Sequence, residues 1–264
     1  MEVSELDLTG YFHRPPHPSE IAGERLDLRG RKLGRILFIV PSYRDSERLR
    51  GMLDALAGQK FRDFDVAIIY GHEDRFLKDK RLRIVHVKRK KDLGFAGAVY
   101  LGQCIALADG YEYFIAADVD RVPSSSRSIF ALHAEAEATG ADYVAGGLAG
   151  IGNPGTRFLG ALVRTRLLGR SGLYPLPLYL GFEDIEFHYR LLASKAGFSQ
   201  VASETSALRP SGIAEAPRLG FKLCKLLCSG GRDSTYFYSD LFGNHNLPES
   251  FLAHGAPVGA AGLL

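Results

Sequence analysis

Arg35-Ile36-Leu37-Phe38-Ile39-Val40, Asp65-Val66-Ala67-Ile68-Ile69-Tyr70 and Tyr113-Phe114-Ile115-Ala116-Ala117 are apolar at nearly every position, not at alternate ones. A strand apolar on both faces is covered on both faces, the condition of a parallel strand between layers of helices. The intervening segments have helical spacing: after Ser46, which is suited to cap, come Leu49, Met52, Leu53 and Leu56. A further helix over 95–108, another after Ser124 to Ser126, and a shorter strand Arg83-Ile84-Val85-His86-Val87 continue the alternation. The pattern predicts an α/β fold, a mainly parallel sheet with helices on both faces. Pro41 is expected to end the first strand. In the second half, Gly146-Gly147 and 150–155 read as a loop, Gly160 to Arg164 as a short strand and 183–196 as a helix. At 264 residues and 46% hydrophobic, the chain is long enough for one large core, with or without an appended lobe. Residues 1–34, with Pro15, Pro16 and Pro18, are expected to form an irregular arm, 35–212 the main domain and 213–264 an extension.

In open parallel sheets ligands bind beyond the carboxyl ends of the strands. Pro41-Ser42-Tyr43, Tyr70-Gly71-His72 and Asp118-Val119-Asp120 all lie there, so they should converge on one crevice. Two carboxylates one residue apart after a buried strand make a poor core and a good cation site. A second acidic cluster, Glu183-Asp184-Ile185-Glu186, opens a helical segment and offers a catalytic carboxylate. Structural roles compete at each position. Asp118 and Asp120 suit turn amides or a helix cap, and Glu183 and Asp184 suit a helix dipole. Gly94, Gly97 and Gly102 suit close packing of a helix on the sheet, and their spacing is not a dinucleotide fingerprint. His86 and His188 read as structural.

A net charge of +3 is too small to imply nucleic acid. One basic group (Arg81, Arg83, Lys88, Arg89, Lys90, Lys91) and a second (Arg209, Arg218, Lys222, Lys225, Arg232) suit anionic phosphates, anionic lipid or a solvated face. Cys104, Cys224 and Cys228 have neither disulfide nor zinc spacing, which suits a reduced, cytoplasmic protein. No apolar run approaches the roughly 20 residues of a membrane span and the first residues are polar, so any membrane contact is expected to be peripheral, at the inner face.

Taken in order, the segments from about 35 to 198 resemble family 2 inverting glycosyltransferases of the GT-A fold. Ile39-Val40-Pro41-Ser42-Tyr43-Arg44 looks like their opening strand and turn around the nucleotide base. Asp92-Leu93-Gly94-Phe95-Ala96-Gly97-Ala98 is similar to a segment of rhamnosyl- and galactofuranosyltransferase-like members. Asp118-Val119-Asp120 matches the DxD position. Gly160 to Arg164, then Leu180-Gly181-Phe182-Glu183-Asp184 with Arg190, resemble the acceptor-side strand and the xED motif.

The resemblance implies a GT-A domain with a C-terminal helical extension. It implies a hexosyltransferase moving a sugar from a nucleotide-diphosphate sugar to a glycan or lipid-linked acceptor in cell-surface polysaccharide synthesis. It assigns Mn2+ or Mg2+ to Asp118 and Asp120, the general base to Asp184 with Glu183 as the neighbouring candidate, and donor contacts to Pro41, Ser42, Tyr43, Asp92, Gly94, Phe95, Ala96 and Asp118. Two positions depart from the pattern. Tyr70-Gly71-His72-Glu73-Asp74 replaces an acidic residue after the second strand, moving that contact to Glu73 or Asp74 or to stacking on Tyr70. Arg209 stands where many relatives carry a metal-binding histidine, so an arginine charge is available to the donor phosphates. Beyond that domain, 219–227 reads as a basic amphipathic helix, and Tyr236, Tyr238 and His245 as either an acceptor lining or packing aromatics. No oligomeric state is implied. A sugar-phosphate nucleotidyltransferase should carry a glycine-rich basic loop where this chain has Pro41-Ser42-Tyr43-Arg44-Asp45. A GT-A-like binding or scaffolding protein without turnover is the other alternative, suggested by Tyr70 and Arg209.

Overall fold

A computed structural model describes residues 17–30, 33–43, 46–71, 76–90, 93–119, 122–145, 159–175, 183–184, 187, 191, 194 and 196–201. Eight strands among them form one sheet: β1 Ala22–Asp27, β2 Ile36–Ser42, β3 Phe64–Tyr70, β4 Ile84–Arg89, β5 Tyr113–Ala116, β6 Tyr143–Ala145, β7 Leu162–Arg164 and β8 Phe198–Gln200. Their order is β1-β4-β3-β2-β5-β7-β6-β8. β4, β3, β2 and β5 are mutually parallel, the block the apolar runs predict. β1 and β7 run antiparallel to it, on β4 and β5 respectively.

Side chains of β2 and β3 alternate between two cores. Leu37, Ile39, Ala67 and Ile69 face α2 (Gly94–Ala108), while Ile36, Phe38, Val40, Val66 and Ile68 pack with α1 (Ser46–Ala57) and α3 (Ser128–Thr139). Both faces are covered by apolar side chains, which is why neither strand carries a polar alternation. Of the three glycines of α2, Gly102 meets the sheet most closely: a Cβ there would lie 2.4 Å from Cγ2 of Ile39. Gly97 faces the Leu93 side chain, and Gly94 has φ +62 at the helix start.

Several expectations need correction. Pro41 does not end β2, which continues to Ser42 with Pro41 opposite Ile69. The Ile39 carbonyl accepts from Ala117 on the β5 side, so Pro41, two residues on, turns its missing N–H to that same side, where β5 has already ended at Ala116. The N-terminal segment is not wholly irregular, because Ala22–Asp27 forms the edge strand β1. Ser46 is the first residue of its helix, not the residue before it. The strands β6 and β8, three residues each, have too little periodicity to be read in advance. Residues 183, 184, 187 and 191 are helical as expected, but Ala196 is not. The 146–155 loop, 219–227, Tyr236, Tyr238 and His245 lie outside the described residues.

The segment between β1 and β2 is fastened at the amino end of the parallel strands through Asp27, Arg29 and Gly34. Asp65, 0% exposed, accepts from the Gly34 N–H (3.0 Å) and the Tyr111 hydroxyl (2.6 Å) and pairs with Arg83. Tyr111 also accepts from Arg29 (2.8 Å), which bridges Asp27 at the end of β1 and Asp109 after α2. A buried charge is tolerated when paired and hydrogen-bonded in this way.

Candidate active site

At the opposite, carboxyl end, the chain passes from β2 outward to β3 and β4, then returns to place β5 on the other side of β2. Strand order therefore reverses between β2 and β5, the position at which such sheets open a crevice. Ser42 lies opposite Tyr70 and accepts from the Gly71 N–H (3.3 Å), and Ser42 is buried. Tyr43, one residue on, is 57% exposed and stands at the rim. On β5 the Ala117 N–H donates to Ile39 (3.1 Å), which carries Asp118 past the strand end, level with Pro41. Asp118 is half-buried and its Oδ1 accepts from the Val119 N–H (2.8 Å). It does not cap α3, whose N-cap is Arg127. Gly94 and Phe95, both half-buried, and the buried Ala96 open α2 beside the ends of β3 and β4.

Tyr70 departs from its expected role. Its ring is 1% exposed, packed between Phe76 and His86, so it offers no open face for a base. Its hydroxyl accepts from the Leu77 N–H (3.0 Å) and meets Nδ1 of His86 at 3.1 Å. The phenol and the imidazole share one proton across this contact, its direction set by the imidazole tautomer. Burial pushes the His86 pKa down to about 4, with the Lys78 charge acting in the same direction.

Glu183 and Asp184 separate by burial. Glu183, Phe187 and Leu191 share one helix face, and all three are buried, at 5%, 0% and 0% exposure. Asp184 is turned off that face and half-buried. Of the two carboxylates, Asp184 is the more accessible.

Arg89 was not legible as a site residue within its basic run. It is 3% exposed; its Nε donates to the Tyr70 carbonyl (3.3 Å) and its Nη1 to the Gly94 carbonyl, joining the ends of β3, β4 and the start of α2. Strand parity was the available signal: Val85, Val87 and Arg89 alternate with the half-buried Lys88. Desolvation pushes the half-buried Cys104 thiol up to about 12, so it stays protonated and inert at neutral pH.

A half-buried carboxylate at an open strand end is a hard oxygen donor of the kind Mg2+ and Mn2+ prefer, so Asp118 fits a divalent cation. Asp120, Glu73, Asp92 and Arg209 lie outside the described residues. Among the described residues no helix is long and apolar enough to cross a membrane.

Neither a family model nor a curated protein sequence matches the chain. Solved structures do. S. aureus TarS 1–349 in complex with UDP superposes with a TM-score of 0.57 at 16% identity, over 80% of this chain and 71% of that one. The chain spans 43% of the longer TarS structure. It has the GT-A fold. The mannosyltransferase PcManGT from Pyrobaculum calidifontis, in complex with GDP-Man and Mn2+, shares that fold at a TM-score of 0.55 and 15% identity, over 94% of this chain and 78% of its own. Glucosyl-3-phosphoglycerate synthase from Mycobacterium tuberculosis, with Mn2+, UDP and phosphoglyceric acid, does so at 0.52 and 14%, over 76% and 80%. Within the GT-A fold, the crevice between β2 and β5 is the candidate site of this chain.

Proposed function

We propose that the chain is an inverting glycosyltransferase of the family 2, rhamnosyl- and galactofuranosyltransferase-like type. It moves a sugar from a nucleotide-diphosphate sugar to a glycan or lipid-linked acceptor of the cell surface. The observation that supports this reading is the juxtaposition of the exposed Tyr43 and the half-buried Asp118 across the β2–β5 switch point of a GT-A sheet. Tyr43 stacks on the base, Pro41 and Ser42 shape the turn beneath it, and Gly94, Phe95 and Ala96 line the donor beside Asp92. Glu73 contacts the base or ribose.

Asp118 and Asp120 are the residues that would hold Mn2+ or Mg2+, which supplies positive charge to the departing diphosphate. Arg209 adds a fixed charge there. Asp184 takes the proton of the acceptor hydroxyl as its oxygen bonds to the anomeric carbon. The bond from that carbon to the diphosphate oxygen breaks with its electron pair leaving on the nucleotide. One displacement from the opposite face inverts the anomeric configuration and needs no second nucleophilic carboxylate.

A panel of UDP-, GDP- and dTDP-sugars, with and without Mn2+, read by thermal shift and by release of nucleoside diphosphate, tests the reading. Binding raises the melting temperature by mass action. One nucleotide class should bind, with slow release that disappears in Asp120→Ala and falls about 100-fold or more in Asp184→Asn. Absence of any shift across the panel would leave a GT-A-like domain without donor chemistry and overturn the proposal. Release that chelation abolishes while Arg209→Ala leaves it intact would remove Arg209 from the phosphate site.

A further inference from the structure

Tyr174 lies between the two halves of the site. It is 2% exposed, with its ring 6.3 Å, edge-on, from Phe95 and 5.3 Å, tilted, from Phe187. Phe95 is the second residue of α2, at the donor-side wall, and Phe187 lies three residues beyond Asp184, both in helical conformation. The Tyr174 N–H donates to Oε1 of Gln103 (2.7 Å), a side chain 0% exposed two turns further along α2. Tyr174 is thus held to α2 by both backbone and ring, and its ring also packs on Phe187, beside the candidate base.

We propose that Tyr174 is a positioning residue whose ring sets the distance between the donor wall at the start of α2 and the Asp184 carboxylate. The inference rests on the reading of Asp184 as the base. A ring with two side-chain torsions, locked between aromatics in a close-packed interior, is a stiff spacer; an aliphatic replacement lets the helices settle closer. Misplacing a reacting group by about 1 Å costs up to about 100-fold in rate. Tyr43 and Asp118 are carried by β2 and β5, which hydrogen-bond to each other directly, so the base and phosphate contacts do not pass through Tyr174, and only the wall at Phe95 touches it.

The test begins with the wild-type chain and two probes, UDP-N-acetylglucosamine and GDP-mannose, scored for binding and for nucleoside diphosphate release with water as acceptor. Tyr174→Leu should lower release about 10-fold while donor Kd stays within about twofold, and Tyr174→Phe should restore the rate. Introduced into Asp184→Asn, Tyr174→Leu should change the residual rate by less than about twofold, because both act on one step. Loss of donor affinity in proportion to rate, or a full additional loss on Asp184→Asn, would overturn the inference and leave the glycosyltransferase reading standing. If Tyr174→Leu does not fold, Phe187→Leu removes the other side of the same contact and is judged by the same outcomes. A wild-type chain that binds neither probe nor any other nucleotide sugar sinks the functional reading first, and this inference with it.

Discussion

Two tyrosines near the crevice illustrate how little a residue type says before its environment is known. Tyr43 and Tyr70 both follow apolar runs, yet one is 57% exposed and the other 1%. The Tyr70 hydroxyl works inside the fold, linking the Leu77 amide to His86 across the β3–β4 connection. Tyr70→Phe leaves a buried amide and a buried imidazole nitrogen without that partner, a loss of about 1 to 3 kcal/mol. Urea denaturation should register this as a lower midpoint at unchanged slope, with nucleotide-sugar affinity retained. A large fall in affinity at unchanged stability would return Tyr70 to the donor site.

At the scale of elements, the approach of α2 to β2 places the donor wall. Gly102 permits that approach: an added Cβ would meet Cγ2, Cγ1 and Cδ1 of Ile39 at 2.4 to 2.8 Å. Ile39 is β-branched and 0% exposed, so it has little room to yield. Gly102→Ala should therefore cost about 1 to 3 kcal/mol through overpacking, against the usual preference of a helix for alanine. Thermal denaturation of this variant beside Gly51→Ala in α1, where a Cβ would meet nothing within 4 Å, separates the two effects. Equal behaviour of the two variants would show that α2 has slack on the sheet.

At the scale of the whole molecule, His86, His133 and arginine-held carboxylates shape the response to acid among the described residues. His86 and His133 are both pushed down by burial, His86 to about 4, while the unfolded chain binds protons near 6.5. Between those values the unfolded state carries more protons, so stability falls as pH drops from about 6.5 toward 4, on the order of 3 kcal/mol for His86 alone. Asp27 and Asp79 are held below the usual carboxylate range by hydrogen bonds from Arg29 and Arg81. Asp142 is lowered despite its burial, by Arg166 and Arg170. Their contribution is present above about 3.8 and is lost as pH falls below it. Melting temperature measured from pH 7 to 3 should thus decline in two stages, and His86→Leu should flatten the first. A single decline confined below pH 4 would contradict the assignment of His86 as a buried neutral imidazole.

Much of this architecture is written in local pattern. Unbroken apolar runs imply strands covered on both faces, and helical spacing between them implies crossovers, so β2, β3, β4 and β5 and the helices α1, α2 and α3 follow from residue order alone. The same logic places Tyr43 and Asp118 at strand ends. Short strands at the sheet margins, β1, β6 and β8, escape it because three to six residues carry too little periodicity and are held by partners distant in the chain. Burial of Tyr70, the inward turn of Arg89, the division of Glu183 from Asp184 and the place of Tyr174 between two helices were likewise decided only in the folded chain. Sequence specifies which groups are present and how they alternate. Which of them face a core, a crevice or each other depends on contacts between segments tens of residues apart, and those exist only once the sheet has formed.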